Sequence, residues 1–580
     1  MDPELDKVTF SFIDYCVFGS MLGISAVVGV YHAYRGRKNP DAVKEYLAGG
    51  LKMSVFPVSM SLIASWVSGT SLLGFTEEIY VFGTQILTAL IPEVLVCLTS
   101  IFAFLPVFYR LEVSSSYGFL VIPIIMYVPT ISLHQVTGIN FNTITTVVCF
   151  VCIFYTTLVS IKSKQLKKKV AIAEVTVRNC LFQGGLKAVV WTDTIQTLVM
   201  YGGTITICII GTYQVGGVAK VWERNNESGR IQFFNMDFDP TIRHTFWSTV
   251  IGSYFHVLSE SAVSQITVQR YLAIPDIKKS SIMIMIMSIG IVCFDLITIY
   301  LGLMIYAAFY DCDPVTTQQI HKADQLLPLF VMKISKSILG LPGIFIASIF
   351  SAALSTMSTG LNCMSGLVYE DIIKPWIKKP LSPVAATRLI RLLAVIIGVT
   401  CTGLVFLVEK LRSILQTTRS LTAITRGPIL GIFTLGMFFP NANSIGALTG
   451  AVTSMSIVAW ISFNSQALIS AGVINFPKKQ VSIEGCPEDL LRNIVNTSVV
   501  NNSSSLDPFI LYRISYLWYT FIGFLSTVIV GVIVSGFTGG NKCKYEDKKL
   551  YTPIVHWLLF RNNPSKPNDR ELDTMKNIDA

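Results

Sequence analysis

The chain has 580 residues, 52% of them hydrophobic and 14% charged, with a formal net charge of +10 and a mean hydropathy of +0.58. That balance excludes a water-soluble globular protein of this length and points to a multi-spanning membrane protein, all-α because helices satisfy their own backbone groups in lipid. The positive charge reads as topology, with cationic loops facing anionic inner lipid, and gives no reason to expect a nucleic-acid partner.

Thirteen apolar segments are predicted to span the bilayer, near residues 12–31, 52–74, 84–109, 117–133, 141–158, 188–213, 245–272, 281–309, 341–369, 387–407, 414–438, 444–464 and 515–538. Asp2, Glu4, Asp6 and Asp14 make the N-terminus acidic, where a cleavable signal peptide would need a basic region. An outside N-terminus assigns the larger share of the Lys and Arg to inner loops, including Arg35-Arg37-Lys38, Lys278-Lys279 and Lys374-Lys378-Lys379. The mixed-charge tail, residues 541–580, is then cytosolic and needs no packed core. Sequons at Asn226, Asn496, Asn501 and Asn502 all fall in loops placed outside, as expected of a glycoprotein.

In the second segment, Ala64-Ser65-Trp66-Val67-Ser68-Gly69-Thr70-Ser71 gathers small and hydroxyl residues at mid-membrane depth, which predicts local unwinding. Cys149 and Cys152 in the fifth segment form a C-x-x-C that reads as packing, since a metal or redox role does not suit an apolar span. The seventh segment is again polar in its middle, with His256, Ser259, Glu260, Ser261, Ser264 and Gln265. If segments two to six and seven to eleven are two halves, the interrupted segments occupy matching positions, the pattern of a transporter built from inverted repeats. Cys312 and Cys486 lie in predicted outer loops, where either free thiols or a pair is compatible.

The ninth segment has no charge from Leu341 to Tyr369 and carries Ser351, Ser355, Ser358, Thr359 and Asn362 at three- and four-residue spacing, so their oxygens share a helical face. Hard cations take several oxygen ligands; small hydroxyl residues also let helices pack closely. The stripe alone leaves both readings open, and the interrupted helices favour the cation. Arg388 and Arg391 at a span end suit a membrane anchor better than a voltage sensor. The chain shows no Walker A motif, zinc spacing or nucleophile elbow, so neither catalysis nor a cofactor beyond a coupling Na+ is expected.

A set of motifs in order along residues 10–540 resembles the sodium:solute symporter family, in the branch of the monocarboxylate, multivitamin and iodide transporters. These are Leu105-Pro-Val-Phe-Tyr-Arg110, His134-Gln-Val-Thr-Gly138, Gly184-Gly-Leu-Lys-Ala-Val-Val-Trp-Thr-Asp193, Val268-Gln-Arg-Tyr271, Tyr310-Asp-Cys-Asp-Pro314, Asp324-Gln-Leu-Leu-Pro328, Leu354-Ser-Thr356, Gly427-Pro and Leu435-Gly-Met-Phe-Phe-Pro440. The resemblance implies a thirteen-helix, leucine-transporter-type 5+5 inverted repeat and Na+-driven import of a small solute across the plasma membrane. It implies Na+ ligation by the carbonyls of Ala64, Val67 and Ala352 and the hydroxyls of Ser355 and Thr356. Trp66, Ser68, Thr70 and Ser71 would line the solute cavity, facing Glu260, Ser261 and Gln265, with Glu93 a further candidate because a carboxylate at membrane depth is costly.

Departures from the family pattern are informative. The fourth span is short, by about 22 residues or six turns, and Val159 to Gln183 is an atypical basic insert, read either as a retained intron or as a genuine loop. Asp295, Arg419 and Arg426 are unexpected charges; Arg426 is placed to meet a carboxylate solute or to pair with Asp295 or Glu93. The expected solute is a small organic anion, a monocarboxylate or carboxylate vitamin. Iodide or sugar transport, or a non-transporting sensor or inactive isoform, is the alternative.

Overall fold

The computed structural model describes residues 10–35, 53–111, 122–159, 185–335, 338–377, 381, 383–408, 413–491, 508–539 and 551–560, and among these there is no strand. The helices are α1 (Phe12–Arg35), α2 (Val55–Trp66), α3 (Gly69–Phe82), α4 (Thr84–Tyr109, with a π turn at Ser100–Phe104), α5 (Ile122–Thr137), α6 (Phe141–Val159), α7 (Gly185–Val215) and α8 (Val218–Glu227). Beyond these lie α9 (Ser253–Ala262), α10 (Gln265–Leu272), α11 (Ile277–Ala308), α12 (Leu326–Ile334), α13 (Leu341–Leu367), α14 (Pro383–Val408), α15 (Ile414–Phe438), α16 (Ser444–Ser470), α17 (Tyr519–Phe537) and α18 (Pro553–Phe560). Among the described residues, eight helices are long and apolar enough to cross a membrane, and the bent pair α2–α3 makes a ninth.

Both predicted interruptions are present. Helices α2 and α3 meet at a 54° bend, and α9 stops at Ala262 before the chain restarts as α10 at Gln265. Helix α13 packs against both α2 and α10. Its apolar window is 94% buried, against 28–50% for the other continuous spans, so the hydroxyl stripe lies in the middle of the protein. The outer helices face the other way: Leu392, Ile396 and Val399 of α14 and Leu448, Val452 and Phe463 of α16 are exposed, as a lipid-facing surface requires.

Two residues let α16 and α17 touch along their backbones. A Cβ on Gly450 would sit 2.6 Å from the Thr527 carbonyl oxygen, and one on Gly446 would sit 2.5 Å from that of Gly531, so only glycine fits at these points. The Cys312–Cys486 disulfide marks one end of the molecule. There Arg230, fully buried, donates from Nε to the Tyr80 carbonyl (2.9 Å) and from Nη1 to that of Gln480 (3.0 Å), and lies 3.4 Å over the Tyr306 ring.

Several expectations are refined. Helix α5 is described over Ile122–Thr137, so it runs past the predicted end at 133, and the predicted start at 117 lies outside the described residues. The predicted insert 159–183 lies outside the described residues except Val159, as do Asn496, Asn501 and Asn502. The tail is not without packing: Tyr551 and Val555 are buried, and the Thr552 N–H donates to the Met437 carbonyl at 3.2 Å. Helix α18 thereby docks against the end of α15 and the π turn of α4.

Candidate functional site

The break at Val67–Ser68 follows from local chemistry. The Val67 N–H closes α2 onto the Ile63 carbonyl at 2.8 Å, but the Ser68 N–H turns back to Trp66 O at 3.0 Å instead of reaching Ala64 four residues earlier. The freed carbonyls face α13, where the Thr356 hydroxyl lies 3.4 Å from Ala64 O, 3.3 Å from Ser65 O and 3.0 Å from Ala352 O. A buried, uncharged group of oxygens from two helices results, the donor type a hard cation takes. Ser65 is an addition to the predicted ligand set; Val67 sits buried at the break itself.

Ser355, the other predicted hydroxyl, is buried beside the Asp193 carboxylate of α7 and makes no other side-chain contact of hydrogen-bonding geometry. Asp193 Oδ2 accepts from Ser61 Oγ at 2.6 Å and from Arg270 Nη2 at 3.1 Å. That same guanidinium nitrogen donates to Thr359 Oγ1 on α13 at 3.1 Å. Asp193 and Arg270 are each 1% exposed. Sequence reasoning quoted both residues in motifs without giving them a role, although a charge inside an apolar span is itself the signal.

The predicted solute residues divide. Ser68 and Thr70 pair through their hydroxyls at the start of α3. Trp66 is half-buried, with its indole N–H unpaired, and Ser71 is half-buried one turn on. On the facing element, Glu260 forms an ion pair with Arg426, whose Nη1 also lies 3.0 Å from His256 Nε2. The partner of Arg426 is therefore Glu260 rather than Asp295 or Glu93. Gln265 opens α10, half-buried beside this pair in sequence.

Ser261 is buried between helices. Its hydroxyl is 3.2 Å from Ser100 Oγ and 3.2 Å from Tyr271 Oη, so it ties α9 to α4 and α10. Glu93 is buried on α4, within electrostatic reach of Asp295, Arg419 and Glu260. Three carboxylates (Glu93, Asp295, Glu260) thus share this region with two guanidiniums (Arg419, Arg426). Asn226 is exposed on the last turn of α8.

Interrupted helices packed on a hydroxyl-lined inner helix, with freed carbonyls between them, define an ion-coupled membrane transporter. The chain is 33% identical to a sodium-dependent multivitamin transporter of Oryctolagus cuniculus over 96% of its own length and 87% of the relative's. It is 32% identical to sodium-coupled monocarboxylate transporter 2 of Mus musculus (95% and 88%) and 31% identical to sodium-coupled monocarboxylate transporter 1 of Homo sapiens (95% and 91%). Residues 46–454 match the model of the sodium:solute symporter family, and the chain belongs to that family. A solved structure of a Na+-coupled sialic acid symporter, substrate-bound and outward-open, shares the fold with a TM-score of 0.69 at 21% identity, covering 92% of this chain and all of that one. The protein is accordingly a polytopic Na+-coupled secondary transporter of a small solute, with Na+ as coupling ion, and not an enzyme.

Proposed function

We propose that this protein imports a small organic anion, a monocarboxylate or carboxylate vitamin, across the plasma membrane by alternating access, driven by Na+. The observation that carries the solute class is Arg426: a partly accessible guanidinium beside the α9–α10 break, with Nη1 engaged by Glu260 and His256 among the described residues. Its remaining N–H groups have the planar spacing that a carboxylate accepts. The relatives named above support the same class.

Na+ would sit among the carbonyls of Ala64, Val67 and Ala352 and the hydroxyls of Ser355 and Thr356, with Ser65 O contributing. The solute would lie between Trp66, Ser68, Thr70 and Ser71 on one side and Glu260, Gln265 and Arg426 on the other, with Glu93 behind them. Binding Na+ across the α2–α13 contact would hold the two elements together in one orientation of the cavity, which couples the ion to the solute. The proposed frame is thirteen helices in a 5+5 inverted repeat with the N-terminus outside. In support, the Asp14 carboxylate of α1 accepts the Gly343 N–H at 3.0 Å, near the disulfide end, and disulfides belong to the oxidising side.

A second reading, a non-transporting sensor or inactive isoform, follows from the short fourth span read in the sequence. Na+-dependent uptake of labelled pyruvate, lactate, biotin, iodide and glucose in one expressing cell line separates them. Carboxylate uptake supports the proposal; iodide or glucose uptake alone replaces the solute class, and Na+ binding without uptake of any solute supports the sensor.

A further inference from the structure

Glu77 and Asp324 lie within electrostatic reach of each other, on elements that pack together. Glu77 lies on α3 next to Glu78, and the two neighbours have opposite fates. Glu78 receives Arg243 Nε at 2.5 Å and Nη2 at 3.0 Å, with His244 Nε2 at 3.1 Å. The third arm of that guanidinium, Nη1, goes to Gln416 Oε1 at 2.7 Å. Arg243 is therefore spent, and Glu77 Oε2 is buried with no hydrogen-bond partner among the described residues.

Asp324 sits in the 3-10 turn Ala323–Gln325 that packs on α3. It is 2% exposed, and neither carboxylate oxygen has a hydrogen-bond partner among the described residues. Lys322, whose charge reaches Asp324, lies with Nζ 3.3 Å from Tyr127 Oη and 5.6 Å from its ring centre. The Ser413 hydroxyl lies beside Glu77, itself buried.

Buried carboxylates without partners are expensive, and two within electrostatic reach of each other add their repulsion. Burial pushes Asp324 up to about 7, the mark of a carboxylate whose charge is uncompensated. What would relieve the pair is a cation with affinity for oxygen alone. A monovalent ion leaves one of the two charges bare, whereas a divalent ion closes the balance. Mg2+ gives up its water reluctantly and demands an octahedron, while Ca2+ accepts irregular oxygen sets.

We propose that Glu77, Asp324 and the Ser413 hydroxyl form a Ca2+ site on the disulfide side of the transporter, pinning α3 to the turn before α12. The expected affinity is that of weak external sites, about 10⁻⁴–10⁻³ M.

The test uses the full-length protein in lipid nanodiscs at neutral pH and fixed saturating Na+. Added Ca2+ should raise the unfolding midpoint by about 2–4 °C over chelator, with Mg2+ giving less. Glu77→Gln and Asp324→Asn should each abolish that rise while keeping the separate midpoint increase caused by Na+. No rise in the wild type, an equal rise in both variants, or an equal effect of extra Na+ would overturn the site. A midpoint that responds to pH but not to Ca2+ would do so too, assigning the pair to a shared proton. Should neither variant fold, equilibrium binding of radioactive Ca2+ to the wild type decides: about one ion per chain supports the site, and none overturns it.

Discussion

Arg426 on α15 and Glu260 on α9, 166 residues apart, form an ion pair beside the break between α9 and α10. An arriving carboxylate must therefore compete with Glu260 or share the guanidinium with it. Glu260→Gln removes the competitor and should strengthen apparent affinity for a carboxylate solute by about fivefold, equivalent to about 1 kcal/mol. Arg426→Gln removes a charged hydrogen-bond donor, worth about 1.5–3 kcal/mol, and should weaken it by about 10- to 100-fold. Concentration dependence of uptake at saturating Na+ checks both. Opposite signs for the two variants are the expected outcome; the same sign for both would mean that the pair is structural.

Asp193 and Arg270 join α7 to α10, and Arg270 continues to α13 through Thr359. Either alanine variant strands a buried charge, costing about 3–5 kcal/mol, whereas an apolar replacement of both is far less costly. Asp193→Ala and Arg270→Ala should each lower the unfolding midpoint strongly, and Asp193→Leu with Arg270→Met should recover it. Because Asp193 borders Ser355, the stable double variant should still need more Na+ for uptake. Wild-type Na+ activation in the double variant would limit the pair to a structural role.

The places where α2 and α9 break were legible because polar residues cluster at mid-length, Ser65, Ser68, Gly69 and Thr70 in one and Ser259, Glu260, Ser261 and Ser264 in the other, giving weak local propensity and spare hydrogen-bonding groups. The Thr356 face was legible for a related reason, since period and hydroxyl type coincide in one apolar run. What the sequence concealed was partnership over distance. Nothing local tells Arg426 from Arg419, or selects Glu260 over Asp295, because the choice is made by how α9 and α15 pack. The contacts of Ser261 with Ser100 and Tyr271 were hidden for the same reason, being set by how α9 packs on α4 and α10. The docked α18 escaped notice because eight apolar residues inside a charged tail are too few for a periodicity argument.

Helix α18 gives a third expectation. Val555→Asp puts a carboxylate where the side chain is 8% exposed, so it should detach the helix from α15 and α4. The checkable outcome is faster proteolysis between residues 540 and 561 in inside-out vesicles, with the remainder of the protein intact. Equal cleavage of wild type and variant would show that the docking contributes nothing.

Asn226 tests the orientation. Its side chain is exposed on α8, at the end of the molecule that holds the disulfide. Asn226→Gln should remove one step of the mobility shift that glycosidase treatment produces. A cytosolic label on residue 226 in intact cells would invert the topology.

The central claim is that Na+ drives uptake through oxygens contributed by α2 and α13, and Na+ activation of solute uptake in wild type and Thr356→Ala tests it most directly. Removing the hydroxyl withdraws one oxygen at a depth where no water replaces it, a loss of about 1 kcal/mol or more, so half-maximal Na+ should rise at least about fivefold. Ser355→Ala should move it in the same direction, with solute affinity at saturating Na+ changed less. Superimposable Na+ activation curves for wild type and both variants would contradict the account.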